Sequence, residues 1–329
     1  MTKELHHPIT LPHLRIPGNI WLAPLAGYTD LAFRSLALEW GADFTFTEMI
    51  SAEAIRRGNA KTLRLAAPAP NEKTYGIQIF AAGPDAAAAA VEGLLPFRPA
   101  LFDLNCGCSV PKILKSGSGA LLLKEPRVIG SIVKAMREAG APAVSVKLRL
   151  GWDASSPTYR EAAEEAVTNG ACLVTLHPRT RSQGFTGRAD WSHLTALKRR
   201  VPVPVIGSGD LMTPEDARRL FAETGADGVM FARGAIGNPF IFRDTIDLLE
   251  HGGPPRRHEA AVRLTTALRH LDLLLSFKPE KVAVREMRKH FGHYTRGLPE
   301  AAGFRQEINT LPTASQCRAA VAQYLARLE

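Results

Sequence analysis

Cysteine is scarce in this chain: Cys106, Cys108, Cys172 and Cys317 are the only four in 329 residues. They are too few and too scattered for a disulfide framework, and their use fits a reducing compartment. Cys106 and Cys108 form a C-x-C pair, and no second pair stands at zinc-site spacing, so no structural metal is expected. Long apolar runs are also missing. Residues 1–19 are polar and broken by Pro8, Pro12 and Pro17, which leaves no apolar core of signal-peptide length. No later segment is apolar for long enough to cross a bilayer, and a cytoplasmic location is expected. Two nucleotide signatures are absent. Where an open doubly wound sheet would carry a Gly-rich dinucleotide turn, the chain has Pro24-Leu25-Ala26-Gly27. Ser116-Gly117-Ser118-Gly119 looks like a phosphate cradle but lacks the Lys-Ser/Thr that should follow, and reads as a flexible loop before a helix.

What is present is a regular alternation. Short, mostly apolar runs at 20–23, 43–49, 75–80, 101–104, 143–148, 172–176, 203–206 and 227–231 read as strands. Helical segments separate them. Asp30 can cap the first, and Thr213 followed by Pro214 starts another in the expected way. Gly170 closes a third. The alanine run after Asp85 suggests close helix packing. Eight strand–helix units call for a parallel sheet covered on its outside. Eight units in roughly 250 residues is the size of a (β/α)8 TIM barrel. The expected division is an α/β barrel over 1–250 and a small all-α region over 251–329. A Gly-Gly-Pro-Pro linker at 252–255 joins them.

The formal charge is +9. Residues 251–329 hold thirteen Lys/Arg against seven Asp/Glu, a net of +6, so two-thirds of the excess lies there. Lys281, Arg285, Arg288 and Lys289 are expected on one face of the middle helix, with Val284, Met287 and Phe291 pointing elsewhere. A basic side on a helical bundle favours a polyanionic partner; it is also what a solvated helical surface looks like.

In such a barrel, chemistry collects at the C-terminal ends of the strands. Those positions hold Pro24, Leu25 and Ala26; Gln78; Asn105 and Cys108; Lys147 and Arg149; His177 and Arg179; Ser208, Gly209 and Asp210; and Arg233. A lysine in an apolar strand is costly without a partner, so Lys147 suggests an anionic ligand. Gly and Arg after the last two strands match the usual phosphate site of these barrels. A free thiol after a strand is either a small core hydrophobe or a group presented to substrate. Gln78 and His177 have bland readings too, as hydrogen-bonded interior side chains. Their shared rim is the argument.

Taken in order, Ala23 to Asp30, Gln78-Ile79, Leu104 to Cys108, Lys147 to Trp152, His177 to Thr180, Gly207 to Asp210 and Ala232 to Gly234 resemble the tRNA-dihydrouridine synthases, most closely the bacterial B-type. Met287 to Phe291 and Arg296 to Pro299 resemble that type too. The resemblance implies an FMN-bound barrel, a C-terminal helical domain that binds tRNA, NADPH as reductant and Cys108 as catalytic acid. It puts Pro24, Leu25, Ala26, Gln78, Lys147, His177, Ser208, Gly209, Asp210, Ala232 and Arg233 at FMN, and Asn105, Arg149 and Arg179 near the target base. Metal is not implied, no further protein partner is called for, and a monomer is expected. Two departures stand out. Ser109 replaces the proline that usually follows the family's Gly-Cys, which should loosen the loop, and Ser208 replaces an asparagine. Two other classes stay open from the residues alone: a flavin barrel acting on a small molecule, and an RNA-binding protein without catalysis.

Overall fold

Seven of the eight apolar runs form strands of an eight-stranded parallel sheet, and Ile50–Ser51 supplies the eighth, in the computed structural model, which describes residues 4–254 and 256–328. A hairpin comes first, with β1 (Ile9–Leu11) antiparallel to β2 (Leu14–Ile16). The sheet follows: β3 (Ile20–Leu22), β4 (Ile50–Ser51), β5 (Gly76–Phe80), β6 (Leu101–Cys106), β7 (Val144–Arg149), β8 (Leu173–His177), β9 (Val205–Ser208) and β10 (Gly228–Phe231). Its order is β3-β10-β9-β8-β7-β6-β5-β4. The helices around it are α1 (Leu31–Glu39), α2 (Ala52–Arg56), α3 (Ala60–Leu63), α4 (Pro84–Leu94), α5 (Pro111–Lys115), α6 (Pro126–Glu138), α7 (Tyr159–Thr168), α8 (Ser192–Lys198), α9 (Pro214–Thr224) and α10 (Ile241–His251).

The expected second strand, 43–49, makes only isolated bridges, Trp21 to Phe44 and Phe46 to Gly76. It still closes the barrel. Leu22 N donates to Phe44 O and Thr47 N donates to Gly76 O, both at 2.9 Å. Side chains take over some ladder positions here. Thr47 Oγ1 accepts from Gln78 N at 3.2 Å, and Asp43 accepts from Ile20 N at 3.0 Å. That substitution is why the segment is not a regular strand.

The capping signals hold. Asp30 accepts from Phe33 N at 3.1 Å. Thr213 and Asp216 form a reciprocal capping box on α9, whose end at Gly225 is left-handed. The alanines of α4 pack where larger side chains would not fit: Ala87 and Ala90 are buried, and α4 lies against α2 and α6. The hairpin was hidden by Pro8, Pro12 and Pro17, yet Ile9, Leu11 and Ile16 alternate with polar residues and are buried. They pack onto Trp21, Phe44, Phe46, Leu101, Leu173, Ile206 and Met230, which fill the barrel interior at its N-terminal end.

Beyond the linker, whose Pro255 lies outside the described residues, the chain is helical: α11 (Ala260–Phe277), α12 (Glu280–Tyr294), α13 (Ala301–Ile308) and α14 (Ala314–Leu328). Its core shares Ala32 and Leu36 of α1, so the helical region is built onto the barrel's first helix. Val284, Met287 and Phe291 are buried as expected, and Lys281 and Arg285 are exposed. Arg288 is not exposed with them. Although it stands two turns from Lys281 on nearly the same face, its Nη2 donates to Leu311 O at 3.1 Å, which draws the side chain to the segment before α14. Among the described residues, no helix is long and apolar enough to cross a membrane.

Candidate active site

The C-terminal strand ends surround a cavity of about 290 Å3. Each strand presents alternate residues inward, so the polar positions converge. Pro24, Leu25, Ala26, Gln78, Asn105, Cys108, Lys147, Arg149, His177, Ser208, Gly209, Asp210, Ala232 and Arg233 all line it. Of the residues expected at this rim, Arg179 alone stands behind the wall. It is buried, and its guanidinium donates to Asp210 at 2.7 Å, Gly187 O at 2.8 Å and Thr186 O at 3.2 Å. Ser208 is also committed to the barrel, donating to Met230 O at 3.1 Å.

Cys108 sits on a pinned loop. Its N–H donates to Asn105 Oδ1 at 2.9 Å, beside Gly107 N at 3.1 Å. Its carbonyl accepts from Ala120 N at 3.0 Å. The segment expected to be a flexible loop, 116–119, is therefore a buttress. Gly119 has φ +67, and a Cβ there would come within 2.7 Å of Cys108 O. Burial raises the Cys108 pKa, against a backbone hydrogen bond and the charges of Arg149 and Lys147. The thiol is protonated at neutral pH.

Lys147 projects from β7 beside Asn105 of β6, its partner in register. Among the described residues no acceptor hydrogen-bonds its amine. Burial pulls its pKa down to about 8, opposed by Asp103. Arg149 spends its guanidinium on Gly107 O at 3.0 Å, Thr180 O at 2.9 Å and Gly184 O at 2.8 Å. Burial, then the neighbouring Arg179, lowers its pKa to about 10. His177 is neutral, its pKa driven down to about 2 by burial and by the cations around it. Its Nε2 stands 3.3 Å from Arg179 Nη1. A guanidinium can only donate, so Nε2 accepts and Nδ1 carries the proton.

At the far rim Asp210 pairs with Arg233 at 3.1 Å and with Arg179 at 2.7 Å. Gly209 has φ +98, and a Cβ there would lie 2.6 Å from His177 Cδ2. Among the described residues no acceptor takes the N–H of Gly209, Asp210 or Ala232. Unclaimed amides beside an arginine make a cradle for a phosphate. Together with an unpartnered amine and a wall that is largely apolar, they fit a flat anionic cofactor such as FMN.

Five lining residues escaped the sequence reading: Met49, Val110, Phe185, Leu211 and Met212. Phe185 and Met212 are 58% and 42% exposed in the loops after β8 and β9, and no period marks a loop residue. Asp103 was missed as well. It is buried two positions before Asn105 and on the same face of β6, a signal the strand's period does carry.

The family model described as Dihydrouridine synthase (Dus) matches residues 21–328. A probable tRNA-dihydrouridine synthase of Treponema pallidum is 44% identical over 304 residues, 89% of each chain. The tRNA-dihydrouridine synthase B of Pseudomonas aeruginosa is 33% identical over 317 residues, 94% of each. Among solved structures, histamine dehydrogenase from Rhizobium sp. 4-9 superposes with a TM-score of 0.59 at 14% identity. That match covers 82% of this chain, which spans only 51% of the dehydrogenase. Morphinone reductase in complex with tetrahydroNAD superposes at 0.56 and 12% identity, over 80% of this chain and 94% of the reductase. Those two likenesses are of fold. The match along almost the whole sequence decides the family: the chain belongs to the dihydrouridine synthases, flavin-dependent enzymes that reduce a pyrimidine ring.

Proposed function

We propose that the cavity holds FMN and that the protein reduces uridine in tRNA to 5,6-dihydrouridine, with NADPH as the reductant. One observation carries this reading: a protonated thiol, Cys108, and an unpartnered amine, Lys147, line the same small cavity. The amides of Gly209, Asp210 and Ala232, with Arg233, suit the cofactor's phosphate. Lys147 suits an electron-rich ring edge, while Pro24, Leu25 and Ala26 give a surface for the flat ring. When bound, FMN supplies a hydride to C6 of the uracil, which is the cofactor's own chemistry.

The chain's residues supply the rest. Hydride at C6 moves the ring's electron pair onto C5 and the neighbouring carbonyl. C5 then needs a proton. The S–H bond of Cys108 breaks as a C5–H bond forms, and a thiolate is left. Burial keeps the thiol protonated beforehand; Arg149 and Lys147 favour the anion as it appears. Water then returns a proton to sulfur. Raising the pH through the thiol's elevated pKa removes the acid, so the proton-transfer rate falls on the alkaline side. The exposed Lys281 and Arg285 on α12 suit phosphates of the tRNA, whose target base must leave its stack to reach the cavity.

Cys108→Ala tests this. The variant should keep its yellow cofactor and its tRNA affinity and lose turnover by about a hundredfold to ten-thousandfold. Full activity would remove Cys108 from the mechanism. Mapping dihydrouridine in tRNA from cells lacking the protein, with and without its return, tests the substrate.

A further inference from the structure

Three adjacent strands place polar side chains at one level of the barrel. Gln78 of β5, Asp103 of β6 and Ser145 of β7 are partners in register. Ser145 Oγ donates to Asp103 Oδ1 at 2.5 Å, and Gln78 Nε2 donates to Asp103 Oδ2 at 2.7 Å. Asn105 Nδ2 donates to Gln78 Oε1 at 2.9 Å. Asn105 Oδ1 then accepts from the Gly107 and Cys108 amides. The chain has a direction. An ionised carboxylate only accepts, and a backbone N–H only donates. With those two ends fixed, each amide between them has one satisfied orientation. Reversing Gln78 would set oxygen against oxygen and NH2 against NH2.

We propose that Asp103 is a positioning residue for the thiol: its carboxylate orients the Gln78 and Asn105 amides, and Asn105 holds the backbone of Cys108. This rests on reading Cys108 as the proton donor. Asp103 does not line the cavity and acts through the other two side chains. A plain space-filling role would be met by any side chain of its size; a directional chain requires an acceptor. The groups that face the carboxylate are Gln78 from β5 and Ser145 and the cationic Lys147 from β7; the Cys106 thiol of its own strand lies on the opposite face, near enough for the carboxylate's charge to raise its pKa. Burial lifts the Asp103 pKa to about 6, with Ser145, Gln78 and Lys147 opposing. The accepting form therefore prevails above about pH 6.

The test reads the thiol in flavin-free protein, independently of turnover. Iodoacetamide alkylation of Cys108 is followed by peptide mass spectrometry, which separates it from the half-buried Cys172. Gln78→Glu opposes two carboxylates, and the Cys108 alkylation rate should rise about tenfold. Adding Asp103→Asn puts an amide donor opposite the new carboxylate. Asn105 still meets an oxygen, so the double variant should return to within about twofold of the parent. An unchanged rate in Gln78→Glu, or a double variant as perturbed as the single, overturns the proposal. If Gln78→Glu does not fold, Asp103→Asn alone decides. The parent's alkylation profile should show an inflection near pH 6 that this variant lacks, and coincident profiles overturn the proposal. Full activity in Cys108→Ala would instead defeat the acid reading and leave the alkylation result standing.

Discussion

The two ends of the barrel are made by the same strands and differ in kind. At the N-terminal end the inward residues are Trp21, Leu101, Leu173, Ile206 and Met230, sealed by the β1–β2 hairpin. Two to four residues further along the same strands stand Asn105, His177, Ser208 and Ala232, with Lys147 between them. The step between is visible within single strands. Strand β6 runs inward from Leu101 through Asp103 to Asn105, and β8 from Leu173 through Thr175 to His177. One end is closed by burying apolar surface. The other is left with amides, amines and a thiol that water or a ligand must satisfy. The difference teaches where to look for each property: stability should reside at the sealed end and binding at the open one.

The sharpest way to break that division is Trp21→Ala. Trp21 is fully buried against Phe44 and Phe46, with ring centroids 5.2 and 6.2 Å away, and its Nε1 donates to Gly18 O at 2.9 Å. Removing it should cost about 3–5 kcal/mol in denaturant unfolding. The fraction still folded should bind flavin as the parent does. A flavin affinity that collapses in folded Trp21→Ala would mean the two ends are not separable.

Lys147→Met is the converse at the open end. It deletes a desolvated amine without a hydrogen-bonding partner and keeps the length of the stem. Flavin affinity should fall by roughly ten- to a hundredfold, the worth of a hydrogen bond to a charged group. Folding stability of the flavin-free protein should not fall at pH 7. The two should differ with pH. The folded-state pKa of Lys147 is about 8 against 10.5 for the free side chain. Between those values the unfolded chain binds the extra proton, so folding becomes more favourable as pH rises. Below about pH 8 both states are charged and the burial cost is carried in full. Melting curves should therefore show the parent gaining on Lys147→Met between pH 8 and 10.5. Parallel curves would place the amine in solvent rather than against the barrel interior.

What the sequence makes legible follows the same two ends. The strands were readable because burial on both faces makes unbroken apolar runs, and the rim residues were readable because a strand's last inward position is fixed by its period. Legibility failed where side chains replace backbone regularity. Thr47 and Asp43 stand in for ladder bonds in the segment that closes the barrel. The hairpin sits between prolines whose meaning as turn or break depends on what packs beneath. Gly119, in a segment expected to be loose, proves to be the support of Cys108. Arg179 shares the strand-end position that put His177 on the cavity, yet its reach folds back to the carbonyls of its own loop. No sequence period distinguishes a long side chain that faces a ligand from one that braces the wall.

The smallest effect separates two lysines on one helix. Lys281 and Arg285 of α12 are exposed, whereas Lys289 is half-buried against the barrel rim. The Lys289 amine donates to Gly27 O and lies 4.8 Å from the Tyr28 ring centroid. Nearby, Lys278 binds Asp30, the cap of α1. These contacts hold the far end of the loop whose near end, Pro24 to Ala26, lines the cavity. Replacing Lys281 and Arg285 by Gln should leave flavin content unchanged and reduce the slope of log K against log salt for tRNA by about 1.5–2, the release expected for two phosphate contacts. Lys289→Gln should change that slope by less than one contact's worth and instead weaken flavin retention, because it frees the loop. Salt titrations of both variants on one tRNA decide the matter. If Lys289→Gln lowers the slope by a full contact's worth and leaves flavin retention unchanged, α12 is a uniform basic face and not a clamp on one side and a docking surface on the other.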